Sequence, residues 1–346
     1  MYSFRNDYSD GAHPEILKAI IESNDIQTEG YGEDQFTAEA ADLIKKKTGS
    51  DDIDIHFLAG GTLTNQTVIS AFLRPHEAVI SAGTGHIYVH ETGAIESTGH
   101  KVLPVDSKNG KLTPLQIDEV VTEHHFEHMV KPALVYISQP TEIGTLYSKD
   151  ELTALRNYCS SHNLILYIDG ARMASALASE AADLYLPDYR LLSDAFYIGG
   201  TKCGALFGEA LVICNDSLKK DFRYHMKQKG ALLAKGRMLG VQFLSLFTGN
   251  LYHKIGSLAN TAAGKLQEEI LALGYDVQFH SHTNQIFPVF PEQVIAELEE
   301  NYLFYRWAKE SGDNSVIRLV CSWSTKDKFI DEFVDNLKRI TQRQQH

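Results

Sequence analysis

Residues 164–172 read LILYIDGAR and residues 195–202 read AFYIGGTK, and these two stretches decide the fold. Each begins with an apolar run of strand length that passes directly into a turn. Asp169 follows the first run, and Lys202 follows the second after two glycines and a threonine. About one strand–helix–strand unit of sequence separates the two residues. We therefore predict two strands of one sheet that carry an acid and an amine at their carboxyl ends.

The alternation of apolar runs with helical patterns extends to both sides of these stretches. Further runs that are typical of buried strands lie at 79–80, 133–138 and 211–214. The clearest helical patterns between them are 62–73 and 149–162. Such alternation predicts an α/β fold whose sheet is mostly parallel and covered by helices on both faces.

The pattern changes after about residue 247. A long helix is predicted over 252–273, followed by short strands and a final amphipathic helix. We predict the strands near 276–279, 284–289 and 316–321, and the helix over 326–341. The sequence thus indicates a large domain over 1–247 and a small α+β C-terminal domain over 248–346, which is an ordinary domain size.

Composition narrows the function. Of 346 residues, 43% are hydrophobic and 22% are charged, as in ordinary globular proteins, and the net charge is −13. This acidity argues against nucleic acid or an anionic membrane as a general partner. The four cysteines form no CxxC pair, which indicates reduced thiols, and no apolar run approaches the roughly 18 residues of a membrane span. Because the N-terminus also lacks the apolar core of a signal peptide, we expect a cytoplasmic enzyme with a small-molecule substrate.

Lys202 and Asp169 together suit one cofactor. Ligands of parallel sheets bind beyond the carboxyl ends of the strands, where both residues are predicted to lie. A lysine amine forms an imine with pyridoxal 5'-phosphate, and a carboxylate keeps the pyridine nitrogen protonated, so that the ring can accept the electrons of a carbanion. The alternatives are a surface lysine in a loop and an aspartate that caps a helix.

A phosphate group would need a separate anion site. Gly60-Gly61-Thr62 precedes a predicted helix, and the amide groups of a helix start bind anions, particularly where glycines allow close approach. Arg237 could add a positive charge. Alone, the glycine-rich segment is equally explained as a turn with a helix cap, and Arg237 as a helix-surface arginine.

Two more residues are candidates for ligand contacts. His86 follows the run at 79–80, where its ring could stack on the pyridine, although a structural histidine is the alternative. Arg318 lies inside the apolar run 316–320, and a buried arginine needs an anionic partner. We predict that this partner is a substrate carboxylate, with a structural salt bridge as the alternative. The histidines of 124–128 have metal-like spacing, but their charged surroundings favour a solvated segment, and no metal site is predicted.

The sequence resembles the threonine aldolase/β-eliminating lyase family, and within it the branch of low-specificity L-threonine and phenylserine aldolases. The order and spacing of many short segments carry this resemblance across nearly the whole chain. The matching segments are Arg5-Asn6-Asp7, Tyr31-Gly32-Glu33-Asp34, 60–66, His86, 139–144, Asp169-Gly170-Ala171-Arg172, Thr201-Lys202, Gly236-Arg237 and 317–320.

The resemblance implies a fold and a set of roles. The fold would be that of aspartate aminotransferase (fold type I), in homodimers or homotetramers with shared active sites. Lys202 would form the imine, Asp169 would pair with the pyridine nitrogen and His86 would stack on the ring. The phosphate would contact Gly61, Thr62 and a neighbouring subunit's Arg237. The amino-acid carboxylate would be held by Asn6, Arg172 and Arg318, and Tyr31 would reach the partner's site.

The chain departs from the family pattern at two places. Gly60 stands where many members have serine, so one hydroxyl contact with the phosphate is missing. Pro140-Thr141-Glu142 stands where many threonine aldolases have Asn-Thr-His, so a second active-site histidine is absent. The acid–base group is therefore open: His86 is the leading candidate, and His90, Glu91 or a water molecule are alternatives.

The expected reaction is the retro-aldol cleavage of a β-hydroxy-α-amino acid, such as threonine, allo-threonine or phenylserine, to glycine and an aldehyde. Lys202, Asp169 and the phosphate site would equally serve β-elimination or transamination. A cofactor-binding protein without turnover and a nucleotide-binding domain are further alternatives, but the second leaves the position of Lys202 unexplained.

Overall fold

The computed structural model describes residues 1–344 and contains thirteen strands and thirteen α-helices in that range. The strands are β1 (Tyr2–Ser3), β2 (Asp54–Leu58), β3 (Glu77–Ala82), β4 (Val102–Val105), β5 (Lys131–Ser138), β6 (Ile165–Asp169), β7 (Ala195–Gly199), β8 (Glu209–Ile213), β9 (Gln285–Ile286), β10 (Val289–Pro291), β11 (Tyr302–Leu303), β12 (Tyr305–Lys309) and β13 (Asn314–Val320). The helices are α1 (Pro14–Ser23), α2 (Gln35–Thr48), α3 (Gly61–Phe72), α4 (His86–Val89), α5 (Pro114–Glu123), α6 (Lys149–Ser161), α7 (Met173–Leu177), α8 (Leu186–Leu192), α9 (Phe222–Gln228), α10 (Arg237–Phe247), α11 (Leu251–Ala272), α12 (Glu292–Glu299) and α13 (Asp327–Gln344).

A seven-stranded sheet in the order β2-β8-β7-β6-β5-β3-β4 forms the large part of the molecule. The strands from β7 through β4 pair in parallel, whereas β8 is antiparallel to both β7 and β2. The prediction of a mostly parallel sheet is therefore confirmed. Asp169 is the last residue of β6, and Lys202 follows the end of β7, so both lie at the carboxyl edge of the parallel strands.

Both faces of this sheet are buried, as the continuous apolar runs predicted. Along β5, Leu134 and Tyr136 belong to the apolar core on one face, and Val135 and Ile137 to the core on the other. Successive side chains of a strand point to opposite faces, so a strand covered on both sides must be apolar at every position.

The helices α2, α5 and α6 begin at local capping signals. At α6, the Ser148 hydroxyl accepts the N–H of Glu151, and the Glu151 carboxylate accepts the N–H of Ser148, which satisfies two free donors of the first turn. The predicted helices at 62–73, 149–162 and 252–273 are confirmed within one residue at each end. Among residues 1–344, every helix is too short or too polar to span a lipid bilayer.

The C-terminal part contains a second, four-stranded sheet in which β13 pairs with β9, β10 and β12. The predicted strand over 284–289 is split into β9 and β10 at Pro288, which has no N–H for a ladder hydrogen bond. The predicted strand at 276–279 was wrong, because this segment makes only one isolated bridge, between Val277 and Pro288. The backbone that follows residue 279 contacts α11, where the Gln267 side chain accepts the N–H of Ser281.

The first residues of the chain pack on this C-terminal part. Tyr2 and Ser3 form β1, which pairs in parallel with β11, and Phe4 is fully buried in the C-terminal core. Residues 5–10 then continue toward the large sheet, where Asp7 is buried. The N-terminal segment therefore connects the two sheets and reaches the space between them.

Candidate active site

A cavity of about 890 Å³ lies at the carboxyl edge of the large sheet, and residues of β12 and β13 form its other wall. This is the size of a cofactor or small-ligand site. Most of the predicted site residues share it. Those on its wall are Gly61, Thr62, His86, Asp169, Arg172, Lys202 and Arg318.

Asp169 is buried and surrounded by hydrogen-bond donors. The hydroxyls of Tyr136 and Tyr197 donate to its two oxygens at 2.6 and 2.5 Å, and the N–H of Ala171 donates at 3.0 Å. Burial opposes ionisation, but the charge of His86 and the two tyrosine hydroxyls outweigh it, so the pKa of Asp169 is lowered. The cavity thus contains a fixed negative charge at the end of β6.

Close packing between β6 and β7 requires glycine at their carboxyl ends, where Gly170 follows β6 and Gly199 is the last residue of β7. A Cβ on Gly170 would lie 2.0 Å from the carbonyl oxygen of Tyr197, and a Cβ on Gly199 would lie 2.2 Å from that of Ala171. These contacts are too short for any side chain. The two glycines in the decisive stretches therefore allow the Asp169 and Lys202 turns to approach each other.

Lys202 presents a free amine to this space. Within residues 1–344 its Nζ makes no hydrogen bond and no ion pair, and it lies over the ring of Tyr8, 6.0 Å from the centroid. Burial and the nearby charge of Arg172 lower the pKa of the Lys202 amine. A lowered pKa favours the neutral amine, which is the nucleophilic form.

Glu209 at the start of β8 is a buried carboxyl group that the sequence interpretation missed. Its oxygens accept the N–H of Gly200 at 3.0 Å and the hydroxyl of Thr201 at 2.9 Å, so it holds the turn that carries Lys202. Burial raises the pKa of Glu209 to about 8. The sequence did contain a signal for this residue, because Glu209 comes directly before the apolar run 210–213. An acidic residue next to a buried strand is expected at the edge of the sheet.

The start of α3 offers the predicted anion site. Gly60 precedes the helix in an extended conformation, and the first intrahelical bond runs from the N–H of Thr64 to its carbonyl. The N–H groups of Gly61, Thr62 and Leu63 therefore have no acceptor in the helix itself. Gly61 and Thr62 line the cavity, so these donors lie at its edge.

His86 is held by two glutamates. Its Nδ1 lies 2.8 Å from Oε1 of Glu91, and its backbone N–H donates to Oε1 of Glu142 at 2.9 Å. Glu91 also accepts a hydrogen bond from Asn65 at 2.8 Å. A carboxylate at Nδ1 fixes the orientation of the ring and favours the proton at that nitrogen. The other nitrogen, Nε2, makes no hydrogen bond within residues 1–344.

Arg172 is already paired. Its Nε and Nη2 donate to the two oxygens of Asp7 at 2.7 and 3.1 Å, and Asn284 donates to the same carboxylate at 2.8 Å. Asp7 is 3% exposed, and its pKa is lowered: burial alone would raise it, but the charges of Arg172 and Lys202 and the hydrogen bonds from Arg172 and Asn284 together outweigh that effect. Asp7 is a second residue that the sequence interpretation did not single out.

Arg318 has no carboxylate partner among the described residues. Within residues 1–344 its Nε is buried without a hydrogen bond, and the one hydrogen bond of the side chain is a long one of 3.4 Å, from Nη2 to the carbonyl of Arg5. The guanidinium lies over the rings of Tyr305 and Trp307, 5.2 and 5.1 Å from their centroids. Burial, with the charge of Arg172, lowers the pKa of Arg318 to about 10. It is a cation in place for an anionic ligand.

Three predicted site residues do not line this cavity. The side chain of Asn6 accepts hydrogen bonds from its own loop, at Tyr8 and Ser9. Tyr31 is exposed, with the Lys227 amine 4.2 Å from its ring centroid. Arg237 donates to carbonyls at the end of α1. The single chain therefore holds Arg237 and Tyr31 away from its own cavity, and their action on a neighbouring subunit's site stays a prediction.

Comparison with known proteins agrees with this geometry. The family model described as beta-eliminating lyase matches residues 4–295. The chain belongs to the β-eliminating lyase family. A low specificity L-threonine aldolase of Pseudomonas sp. (strain NCIMB 10558) is 32% identical over 97% of each chain, and one of Pseudomonas aeruginosa is 31% identical over the same shares. The resemblance predicted from the short segments is thereby confirmed.

Comparison with solved structures shows that the chain has the predicted fold. The structure of Leishmania major threonine aldolase is 46% identical, covers 99% of this chain and 100% of its own, and superposes with a TM-score of 0.97. A mutant of Thermus thermophilus aspartate aminotransferase superposes with a TM-score of 0.72 at 14% identity, over 98% of this chain and 91% of its own. The second likeness concerns the fold alone, and it confirms the aspartate aminotransferase fold.

Proposed function

We propose that the protein is a pyridoxal 5'-phosphate-dependent aldolase that cleaves a β-hydroxy-α-amino acid, such as threonine, allo-threonine or phenylserine, to glycine and an aldehyde. One observation carries the proposal: an unpaired lysine amine and an ionised, buried aspartate face the same cavity at adjoining strand ends. The threonine aldolase names of the relatives in both comparisons support this reaction over β-elimination and transamination.

The residues on the cavity wall fit this cofactor. The amine of Lys202 would hold it covalently, and the carboxylate of Asp169 would face its pyridine nitrogen. The free N–H groups at Gly61 and Thr62 would bind the phosphate, and His86 would cover the ring. When bound, pyridoxal phosphate supplies a protonated ring that stabilises negative charge at the substrate Cα. The fit rests on this chain's own groups: the N–H donors at the start of α3 match the anionic phosphate, and the Asp169 carboxylate matches the cationic pyridine nitrogen.

Arg318 would bind the substrate carboxylate. It is the cation on the cavity wall without a carboxylate partner in residues 1–344, and a guanidinium pairs with a carboxylate through two hydrogen bonds. Arg172 would keep Asp7 and the N-terminal segment in place, and it retains one terminal nitrogen, Nη1, for the cofactor or substrate. Asn6 would reach the carboxylate only after its loop rearranges.

Cleavage of the Cα–Cβ bond requires that the β-hydroxyl proton moves to a base. Three groups face the cavity with an atom that makes no hydrogen bond within residues 1–344: Nε2 of His86, which was the leading candidate from the sequence, a ring nitrogen of His90, and Oε2 of Glu142. Asp169 would meanwhile keep its negative charge at a buried position, where charges interact more strongly.

The proposal includes a homodimer or homotetramer with shared active sites. Tyr31 and Arg237 match the family motifs yet lie outside their own cavity, which is expected of residues that serve a neighbouring subunit's site. The acidic composition and the scattered cysteines favour a cytoplasmic location.

A coupled assay for aldehyde tests the function. Purified protein with added cofactor is incubated with threonine, allo-threonine and phenylserine, and glycine and aldehyde are expected in equal amounts. The control is Lys202→Ala, which should abolish turnover. If none of the three substrates yields aldehyde, the assignment fails, and ammonia with a keto acid as products would instead establish β-elimination.

A further inference from the structure

Glu142 is one of three carboxyl groups on the cavity wall, together with Asp169 and Glu209. Both oxygens of Asp169 accept hydrogen bonds, and so do both oxygens of Glu209. Glu142 differs from them. Its Oε1 accepts the hydroxyl of Ser138 at 2.6 Å and the N–H of His86 at 2.9 Å, whereas its Oε2 makes no hydrogen bond within residues 1–344.

This bare oxygen is accessible from the cavity. Glu142 is 9% exposed and lines the cavity, and Oε2 is not among the fully buried atoms that lack a partner. The loop that carries Glu142 follows β5, whose last residue, Ser138, is opposite Asp169 in the sheet register. Glu142 therefore reaches the carboxyl edge of the sheet beside the catalytic aspartate, with one oxygen anchored and one free.

The other acid–base candidates are less suitable. Glu91 does not line the cavity, and its Oε1 is engaged by Asn65 and His86. His90 lines the cavity, but it is exposed and no hydrogen bond within residues 1–344 holds its ring; partial burial and the charge of His86 lower its pKa, which makes the ring a weaker base. His86 is held at Nδ1 by Glu91 and at its backbone by Glu142. These contacts fix its ring in one orientation, which suits the proposed role of covering the cofactor ring.

The electrostatic environment of Glu142 strengthens it as a base. Burial raises the pKa of its carboxyl group, an effect that the Ser138 hydrogen bond reduces and the charge of Asp169 reinforces. A carboxylate whose conjugate acid is weaker than usual takes a proton from a hydroxyl more readily than an exposed glutamate does.

We propose that Glu142 is the catalytic residue that takes the β-hydroxyl proton of the substrate, which deepens the proposed aldolase function and rests on it. The O–H bond breaks, and the proton moves to Oε2. The electron pair of the O–H bond forms the second carbon–oxygen bond of the aldehyde, and the pair of the Cα–Cβ bond stays at Cα. A proton returned to Cα completes glycine, so no net proton is consumed. His86 then covers the ring.

The test compares two reactions at the same Cα in Glu142→Gln. The amide oxygen can still accept from His86 and Ser138, but the side chain can no longer take a proton. One reaction is threonine cleavage, and the other is the exchange of the glycine α-proton with solvent deuterium, which involves no β-hydroxyl. We expect kcat for cleavage to fall roughly 10²- to 10⁴-fold with little change in KM, while the exchange rate stays within a few fold.

Glu209→Gln is the matched control, because it removes a buried carboxyl group of the same cavity that has no free oxygen. This control should change both reactions by the same factor. An equal loss of both reactions in Glu142→Gln would mean that Glu142 only supports His86, and no loss of cleavage would mean that another group takes the proton. Either result overturns the proposal.

Two further measurements keep the test decisive. The unfolding midpoint of cofactor-free Glu142→Gln and its affinity for glycine, read from the cofactor absorbance, should match the wild type. If the variant does not fold, the pH profiles of the wild type decide: an acidic limb present in cleavage and absent from exchange is expected, and the same limb in both contradicts the assignment. Failure of the aldolase function itself is distinguishable, because the wild type would then exchange glycine without releasing aldehyde.

Discussion

Arg172 and Arg318 lie on the wall of one cavity, but their surroundings differ. Arg172 comes shortly after β6 of the large sheet and donates two hydrogen bonds to Asp7. Arg318 lies in β13 of the C-terminal sheet, and its buried Nε has no partner in residues 1–344. The pKa shifts reflect this difference. Asp7 outweighs the effect of burial on Arg172 and raises its pKa, while burial and the charge of Arg172 lower the pKa of Arg318 to about 10.

The two arginines thus differ in what compensates their charge: Arg172 is paired with Asp7, and Arg318 has no carboxylate partner within residues 1–344. Both arginines match the family motifs, and both were predicted to bind the substrate carboxylate. A buried charge is stable only when another charge or a set of hydrogen bonds compensates it. Arg172 has this compensation within the chain, so the free capacity for an anion is at Arg318. Three experiments test this difference between the paired and the unpaired charge.

The largest effect is expected from Asp7→Asn, which would leave Arg172 as unpaired as Arg318. Removal of one partner from a buried ion pair costs about 3–5 kcal/mol, because the remaining charge is uncompensated. Denaturant unfolding of the cofactor-free protein measures this loss. Asp25→Asn, at an exposed site, is the control and should change stability little. A loss below about 1 kcal/mol in Asp7→Asn would show that Arg172 does not depend on Asp7.

A somewhat smaller effect is expected from Arg318→Met. Loss of a bidentate pair with the substrate carboxylate should lower kcat/KM for threonine roughly 100- to 1000-fold, which equals ~2.7–4 kcal/mol. Stability of the cofactor-free protein should be unchanged or higher, because an uncompensated buried charge is removed. Steady-state kinetics and unfolding curves measure the two effects. Loss of stability without loss of kcat/KM would assign Arg318 a structural role like that of Arg172.

The smallest effect, counted over a single pH unit, concerns the carboxyl group of Glu209, whose pKa is raised whereas that of Asp169 is lowered. The folded protein holds a proton on Glu209 up to a pKa of about 8, whereas an unfolded chain releases it near 4.5. Stability due to this group is therefore present below 4.5 and is lost as pH rises to about 8. Glu209→Gln should remove this loss, so its free energy of unfolding should rise relative to wild type by roughly 1.4 kcal/mol per pH unit in that window. Parallel pH–stability curves would contradict the shift.

The sequence predicted the parts of the site that depend on local pattern. Asp169 and Lys202 were found because each follows an apolar run of strand length, and the strands were found because a doubly covered sheet requires apolar residues at every position. Strand β12 was missed because four of its five residues are exposed at a sheet edge, where no apolar run is needed.

Asp7, Glu142 and Glu209 were missed for a different reason. Their roles depend on contacts that only the folded chain makes: Asp7 pairs with Arg172, 165 positions away, Glu142 accepts the N–H of His86, 56 positions away, and Glu209 accepts from Gly200 and Thr201 across the turn between β7 and β8. A carboxyl residue in a polar segment carries no sign of which cation or hydroxyl it will contact. Glu142 was noted only as the residue in place of a histidine, and its free oxygen is visible only in the folded cavity.

Local apolar periodicity and short motifs were enough to predict most strands and helices of the large sheet, the family, and an acid and an amine at strand ends. Which arginine is paired, which carboxyl group is protonated and which oxygen is free became visible in the folded chain. Those properties depend on burial and on hydrogen-bond partners, and both arise when distant segments of the chain come together.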